Sequence, residues 1–140
     1  MEKAVNPAAS SDLTLLITEL FDAPRERVFD YLSRVENLPR WATEFARELR
    51  YENGQAVVVN GLGEFLFSID ADPETGVIDM HAGPTEDELS LFPTRVVGLP
   101  DGRSAYTFTM FQAPDMPDEL FEAQYASLCR ELENISGELS

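Results

Sequence analysis

The sequence predicts an α+β fold in which a curved antiparallel sheet of about seven strands surrounds one long C-terminal helix. Alternating apolar and polar residues, separated by short turn sequences, run through the middle of the chain and indicate consecutive antiparallel strands. The last part of the chain carries a single long apolar stripe at helical spacing. Because only this helix can cover the sheet, the sheet must curve around it, and we expect a space where sheet and helix separate.

One strand and two short helices are expected before the sheet continues. Leu13–Phe21 is short, apolar and partly β-branched, which indicates a strand. Asp22 is a candidate N-cap, and Pro24 suits the first turn of a helix over Arg25–Arg34. A second short helix is predicted over Arg40–Phe45, and the two helices are expected to close one end of the space.

Further strands are predicted between the short helices and the C-terminal helix, because turn-forming residues separate each apolar segment from the next. Asn53-Gly54 and Asp101-Gly102 are strong hairpin signals, so consecutive strands should pair antiparallel. The candidate strands are Ala46–Glu52, Gln55–Asn60, Glu64–Asp72, Gly76–His81, Glu88–Leu99 and Arg103–Gln112. A long helix is then predicted from Asp118 to about Gly137. Its stripe consists of Leu120, Phe121, Gln124, Tyr125, Leu128, Leu132 and Ile135.

The length of 140 residues fits one domain, which we expect to span residues 12–138 after a flexible arm over residues 1–11. The single cysteine, Cys129, cannot form an internal disulfide, so nothing in the cysteine count argues for secretion. The first residues lack the apolar core of a signal peptide, and no apolar run approaches the roughly 20 residues that span a bilayer. We therefore expect a soluble cytoplasmic protein.

The charge balance is strongly acidic, with 26 Asp and Glu against 10 Lys and Arg and a net charge of −16. Such a surface repels phosphate backbones and anionic lipid headgroups, so nucleic-acid binding and membrane insertion are not expected. Residues 51–140 hold 17 acidic and 3 basic side chains. This acidic part is either a solvated surface that keeps the protein soluble or a face that meets a basic partner or a cationic ligand.

Metal binding finds little support in the residue pattern. His81 and Cys129 are the only residues of their types and stand far apart in the sequence, without paired ligand spacing. Glu86-Asp87-Glu88 lacks the spaced, glycine-centred pattern of a calcium loop and indicates a solvated acidic loop, although a carboxylate-only Mg²⁺ or Ca²⁺ site stays open. We expect no cofactor and no metal, and a buried structural role for the Cys129 thiol.

Asp79 and His81 are the weak catalytic candidates, since they share one face of a predicted strand. A carboxylate beside an imidazole could support general-base chemistry. However, Ile78 and Met80 occupy the opposite face and should point into the core, which would leave Asp79 and His81 facing solvent. Both assignments stay open at this point, with the solvent-facing one favoured.

Several segments carry a resemblance to a known family. In Phe21–Leu32, with the sequence FDAPRERVFDYL, a strand ends at an Ala-Pro turn and enters a helix. Asn37–Ala42, Pro93–Val97 and Thr107–Phe111 fit the second helix and the last two strands of the same pattern. The chain thereby resembles the START-like, helix-grip superfamily, also described as SRPBCC or polyketide cyclase/dehydrase-like, over about residues 12–138. The resemblance implies the fold, whereas members range from lipid carriers to ring cyclases, dehydratases and hydrolases.

The aromatic stripes allow two interpretations: they fill the core, or they line a ligand cavity between sheet and helix. Trp41 and Phe45 are expected at the mouth of such a cavity, and Arg95 is a further candidate for a polar group inside it. The candidate ligand-binding residues are Tyr31, Trp41, Phe45, Phe65, Phe67, Tyr106, Phe108, Met110, Phe121, Gln124, Tyr125 and Leu128.

Three functions compete at this stage. The favoured one is the binding of an apolar small molecule or lipid in an internal cavity between the sheet and the C-terminal helix. The alternative is a cyclase or dehydratase that acts on a polyketide-like substrate through Asp79 and His81, or through a tyrosine with an acidic partner. A third is a protein-interaction module that uses the acidic surface. The oligomeric state stays open.

Overall fold

Seven strands form one antiparallel sheet in the computed structural model, which describes residues 13–139. The strands are β1 (Thr14–Phe21), β2 (Glu48–Glu52), β3 (Gln55–Asn60), β4 (Gly63–Asp72), β5 (Val77–Gly83), β6 (Ser90–Gly98) and β7 (Ser104–Phe111). Their order is β1-β7-β6-β5-β4-β3-β2, so β1 and β2 are the edge strands. The expected sheet is confirmed, while the proposed arm over residues 1–11 lies outside the described residues.

The hairpin turns lie where the Asn-Gly and Asp-Gly pairs predicted them. Asn53 and Gly54 have φ angles of 53° and 80°, which is the left-handed pair that a two-residue hairpin turn requires. Gly102 also has a positive φ, of 90°. The strand over Glu88–Leu99 begins later than predicted, because Glu86–Glu88 form a short 3-10 turn.

The helices are α1 (Arg25–Leu32), α2 (Leu38–Trp41) and α3 (Asp118–Leu139), with a 3-10 turn at Val35–Asn37. α3 begins at the predicted residue and matches the expected long C-terminal helix. The second short helix begins earlier and is shorter than predicted, because Pro39 is accepted in its first turn. None of the described helices is long and apolar enough to cross a membrane.

The prediction of Asp22 as the N-cap of α1 is wrong. Pro24 occupies the cap position in an extended conformation, and no side chain caps the helix. The Pro24 carbonyl accepts hydrogen bonds from the backbone N–H groups of Arg27 and Val28, at 3.0 and 3.1 Å. Proline therefore starts the helix by its fixed φ and its carbonyl rather than as a member of the first turn.

The core lies between one face of the sheet, here called the inner face, and the helices. Alternation along β5 places Ile78 and Met80 on the inner face, and both are buried. The other large apolar and aromatic side chains buried on the inner face are Ile17, Phe21, Val58, Phe67, Val96, Tyr106, Phe108 and Met110. α3 covers them with Phe121, Leu128, Leu132, Ile135 and Leu139. α1 and α2 close one end with Val28, Leu32, Leu38 and Trp41.

The distance between α3 and the sheet differs from strand to strand. Its backbone comes closest to β1 and to α2 and stays farther from the middle strands. Large side chains such as Phe67, Met80 and Phe108 occupy the intervening layer. The space expected from the sequence therefore corresponds to a layer of apolar side chains between α3 and β4–β7.

Candidate functional site

Aromatic side chains contact one another in the inner layer, as expected from the aromatic stripes in the sequence. The Phe45 ring lies 6.4 Å from the Phe65 ring and 6.1 Å from the Phe67 ring, measured between centroids. Phe92 and Phe108 lie 6.1 Å apart. These tilted contacts are typical of packed aromatic pairs. The loop after α2, the strand β4 and the strands β6 and β7 thus contribute to one aromatic lining.

Part of this lining reaches the surface. Phe45, Phe65, Phe92 and Tyr125, here called the rim, are half-buried. Phe45, Phe92 and Tyr125 pack against the buried core, and the Phe65 ring lies beside that of Phe45. Phe92 was not among the predicted site residues. The neighbouring Leu91 is also apolar, so the inward face of this strand is not visible as an alternation. The rim is the place where the apolar layer meets solvent.

Trp41 does not lie at an opening. Its side chain is only 2% exposed, and the Asn134 amide donates a 3.0 Å hydrogen bond to its backbone carbonyl. α2 packs directly against α3, which buries the indole between them. The expectation for Trp41 at a cavity mouth is therefore wrong, whereas Phe45, a few residues later, is half-buried.

Tyr106 carries an unusual polar group on the inner face, near the start of β7. Its side chain is fully buried beside Phe21, with 6.5 Å between ring centroids. Among the described residues, no partner reaches its hydroxyl with hydrogen-bond geometry. Burial raises the pKa of Tyr106, and the neighbouring Thr94 hydroxyl acts in the opposite direction. The Thr94 hydroxyl itself donates a 2.6 Å hydrogen bond to the Ile78 carbonyl. The phenol is thus a protonated donor without an acceptor, which is rare in protein interiors.

Gln112 has the other unpartnered buried side-chain atom, Oε1. Its amide nitrogen donates to the Met116 carbonyl at 2.8 Å and to the Asp118 carboxylate at 2.7 Å. These bonds hold the start of α3 against the end of β7. We assign Gln112 this structural role.

A polar clamp joins the segment after α2 to α3. The Glu131 carboxylate accepts hydrogen bonds from the backbone N–H groups of Glu44 and Phe45, at 2.9 and 2.8 Å. The Glu44 carboxylate accepts from Ser127 at 2.8 Å and from Arg130 at 2.7 Å. The sequence gives no sign of this clamp, because its acceptor pairs with backbone groups far away in the chain. The clamp fixes the backbone of Phe45, a rim residue.

The two carboxylates of the clamp titrate differently. Burial raises the pKa of Glu131, which is 4% exposed, and the two backbone N–H groups only partly offset this effect. Hydrogen bonds from Arg130 and then Ser127 lower the pKa of Glu44 to about 2. The folded state therefore disfavours the charge on Glu131 and favours the charge on Glu44.

Replacing Glu131 by glutamine should keep the protein at least as stable as the wild type at pH 7. The amide retains an acceptor for both N–H groups and removes a charge whose burial is unfavourable. The folded state binds a proton at Glu131 more tightly than the unfolded state does, so this group's contribution to stability falls as pH rises from its ordinary pKa of 4.5 through the raised folded value. Urea unfolding should therefore show any advantage of Glu131→Gln at pH 7 shrinking toward pH 4.5. A variant much less stable at pH 7 would contradict this account.

Asp79 and His81 lie on the outer face of the sheet, opposite Asp70 and Ser68 of β4. The interpretation that Ile78 and Met80 face inward is confirmed, and a catalytic role for Asp79 and His81 inside the inner layer is wrong. Arg95 is also exposed on the outer face, so it supplies no polar group to the interior. Among the described residues, no group of three or more His, Cys, Asp or Glu could hold a metal ion.

The remaining candidates lie on α1 and α3. The Tyr31 hydroxyl donates to the Glu138 carboxylate at 3.2 Å, and burial followed by Glu138 raises the pKa of Tyr31. Gln124 and Tyr125 are half-buried, and the neighbouring Cys129 raises the pKa of Tyr125. Cys129 is half-buried rather than fully buried as expected. Tyr31 is therefore satisfied by α3, unlike Tyr106.

Two concavities of about 340 and 330 Å³ open on the outside of the sheet. The first is lined by Glu52, Asn53, Gly54, Gln55, Val57, Leu66 and Glu86. The second is lined by Val77, Asp79, Pro93, Thr94, Arg95, Thr107 and Thr109. The second concavity includes Asp79 and Arg95, but neither concavity includes any of the predicted aromatic and apolar ligand-binding residues.

No protein-family model matches the sequence, and no curated protein matches it. Solved structures do match in fold. An uncharacterized protein from Bacillus thuringiensis matches with a TM-score of 0.70 and 11% identity, over 91% of this chain and 98% of the other. A START superfamily protein from Mycobacterium smegmatis matches with a TM-score of 0.61 and 15% identity, over 90% and 96%. The Zhui aromatase/cyclase from a Streptomyces species matches with a TM-score of 0.61 and 18% identity, over 91% and 90%.

Identities this low support a conclusion about fold alone. The agreement extends over nearly the whole length of each matched structure. The curved seven-stranded sheet, the two short helices after the first strand and the long C-terminal helix are the expected features of that architecture. The chain therefore has the helix-grip fold of START-like, or SRPBCC, proteins.

Proposed function

We propose that the protein binds an apolar small molecule between the inner face of the sheet and α3. The observation that carries this proposal is the Tyr106 hydroxyl, a fully buried donor that has no acceptor among the described residues. An unsatisfied buried hydroxyl costs about 1–3 kcal/mol of stability. An oxygen atom of a bound molecule would satisfy it, and the surrounding side chains are apolar, as the side chains that line ligand sites usually are.

The surrounding layer supports this proposal. α3 lies closer to β1 and α2 than to the middle strands, so the layer there consists of side chains rather than backbone. Met80 and Met110 belong to it, and methionine adapts its shape readily to a neighbour. The cytoplasmic location expected from the sequence stays a prediction.

Catalysis of the cyclase or dehydratase type is the second candidate. It is favoured by the same phenol, which could donate a proton or a hydrogen bond to a substrate carbonyl. Glu19 of β1 is its cross-strand neighbour, and burial followed by Glu133 raises the pKa of Glu19. A tyrosine with an acidic partner was one of the arrangements considered from the sequence, and this pair would replace Asp79 and His81 in that role.

Binding of the neutral fluorescent probe N-phenylnaphthylamine tests the proposal. We expect its fluorescence to rise on mixing with the protein and to saturate. Val96→Phe adds bulk to the inner layer at the cross-strand neighbour of Tyr106, where overpacking costs about 1–3 kcal/mol and should weaken probe affinity at least about fivefold. Val97→Phe on the outer face of β6 is the matched control and should bind as the wild type does.

Failure of the wild type to bind the probe, together with no apolar molecule in native mass spectra of the purified protein, would overturn the proposal. Equal loss of affinity in Val96→Phe and Val97→Phe would also contradict an interior site. Circular dichroism and urea unfolding of each variant separate lost binding from lost folding.

A further inference from the structure

We infer that the ligand is a neutral molecule whose carbonyl oxygen accepts a hydrogen bond from Tyr106, and not an organic anion. This inference deepens the proposed function and rests on it. Two observations support it: the charged side chains around the inner layer, and the hydrogen-bond donors inside it.

Cations are missing from the interior that the structure describes. Every arginine of the chain lies within residues 13–139, and none of them is buried. Arg25 donates to the Pro73 carbonyl at 2.6 Å on the turn between β4 and β5. Arg50 pairs with carboxylates on the outer face, and Arg130 pairs with Glu44 of the clamp. No described arginine is therefore placed to neutralise a carboxylate or phosphate in the inner layer.

Carboxylates, in contrast, border the layer. Glu131 is 4% exposed, and Glu19 is half-buried on the inner side of β1. Burial raises the pKa of both side chains, which shows that even these resident charges are disfavoured there. An anionic ligand would add a desolvated charge near two others of the same sign. The interior thus selects against fatty-acid anions and other organic acids at neutral pH.

The unpartnered hydroxyl of Tyr106 favours a ligand that carries a hydrogen-bond acceptor. The raised pKa keeps the Tyr106 hydroxyl protonated, so it offers its proton. The Thr94 hydroxyl gives its own proton to the Ile78 carbonyl and cannot donate a second one. Both hydroxyl oxygens can still accept a hydrogen bond, but the Tyr106 O–H is the proton that has no acceptor among the described residues. A ketone, aldehyde, ester or quinone oxygen meets the requirement directly.

Three related fluorescent naphthalenes test this inference in wild-type protein: prodan, which carries a propionyl ketone, the parent dimethylaminonaphthalene without the ketone, and the corresponding dimethylaminonaphthoate anion. We expect the ketone to bind about tenfold more tightly than the parent, as one hydrogen bond in a buried site allows. The naphthoate should bind most weakly.

Tyr106→Phe should reduce ketone affinity to that of the parent and leave parent affinity unchanged. The matched control is Tyr51→Phe, which removes the hydroxyl of an exposed tyrosine and should alter neither affinity. If the parent binds but the ketone gains nothing, or the naphthoate binds as well as the ketone, the inference is wrong and the proposed function stands. If none of the three binds, the proposed function itself fails.

Discussion

Phe121→Ala is expected to lower the free energy of unfolding by about 3–5 kcal/mol, the usual loss when a buried phenylalanine is truncated. Phe121 is 1% exposed and lies in the first turns of α3, the helix that covers the sheet. A loss of this size is a large share of the roughly 5–15 kcal/mol that holds a typical domain folded. Urea unfolding followed by circular dichroism measures it.

Leu120→Ala is the control for Phe121→Ala, since its side chain is 40% exposed on the same turn of α3. It should change stability by no more than about 0.5 kcal/mol. Similar small effects of both variants, with unchanged binding of N-phenylnaphthylamine, would mean that α3 does not cover the sheet as described. A small stability loss with altered probe affinity would instead place Phe121 in the wall of the binding site.

Glu131→Ala should destabilise the protein by about 2–3 kcal/mol, because the backbone N–H groups of Glu44 and Phe45 lose their only described acceptor. The loss should exceed that of Glu131→Gln clearly at pH 7. Since the clamp fixes the backbone of Phe45, the same change should also loosen the contact of Phe45 with Phe65 and Phe67. Thermal unfolding and hydrogen exchange at Phe45 measure the two effects.

Glu133→Ala is the matched control for the clamp. Glu133 is exposed on α3 and contributes to raising the pKa of Glu19 by like-charge repulsion. Its removal should leave stability unchanged or slightly higher. An equal loss in Glu131→Ala and Glu133→Ala would show that the removal of a carboxylate from α3, rather than the loss of the two hydrogen bonds, determines the result.

Local patterns were sufficient to predict the fold. The hairpin signals at Asn53-Gly54 and Asp101-Gly102 and the stripe of α3 depend on neighbouring residues only. The structure agrees with them except at Leu120, which was placed in the stripe but is exposed. The alternation in β5 likewise predicted that Ile78 and Met80 face the core. These features need no knowledge of distant contacts, because the periods of helix and strand determine which side chains share a face.

The errors concern contacts between distant segments. Trp41 is buried because α2 packs on α3, and a short helix gives little indication of what will cover it. Arg95 lies on the outer face because its position in β6 follows from the register with β5 and β7. The Glu131 clamp and the isolated Tyr106 hydroxyl depend on backbone groups and neighbours far away in the sequence. No local pattern encodes which buried polar atom finds a partner.

The unfolding free energy of Tyr106→Phe, measured with and without saturating prodan, tests most directly the claim that this hydroxyl awaits a ligand. Without prodan, the variant should be more stable than the wild type by about 1–3 kcal/mol, because an unpartnered buried hydroxyl has been removed. Prodan should then stabilise the wild type more than the variant, because only the wild type can donate to the ketone. A less stable variant, with equal stabilisation of both proteins by prodan, would contradict the claim and show that the hydroxyl is already satisfied in the unliganded protein.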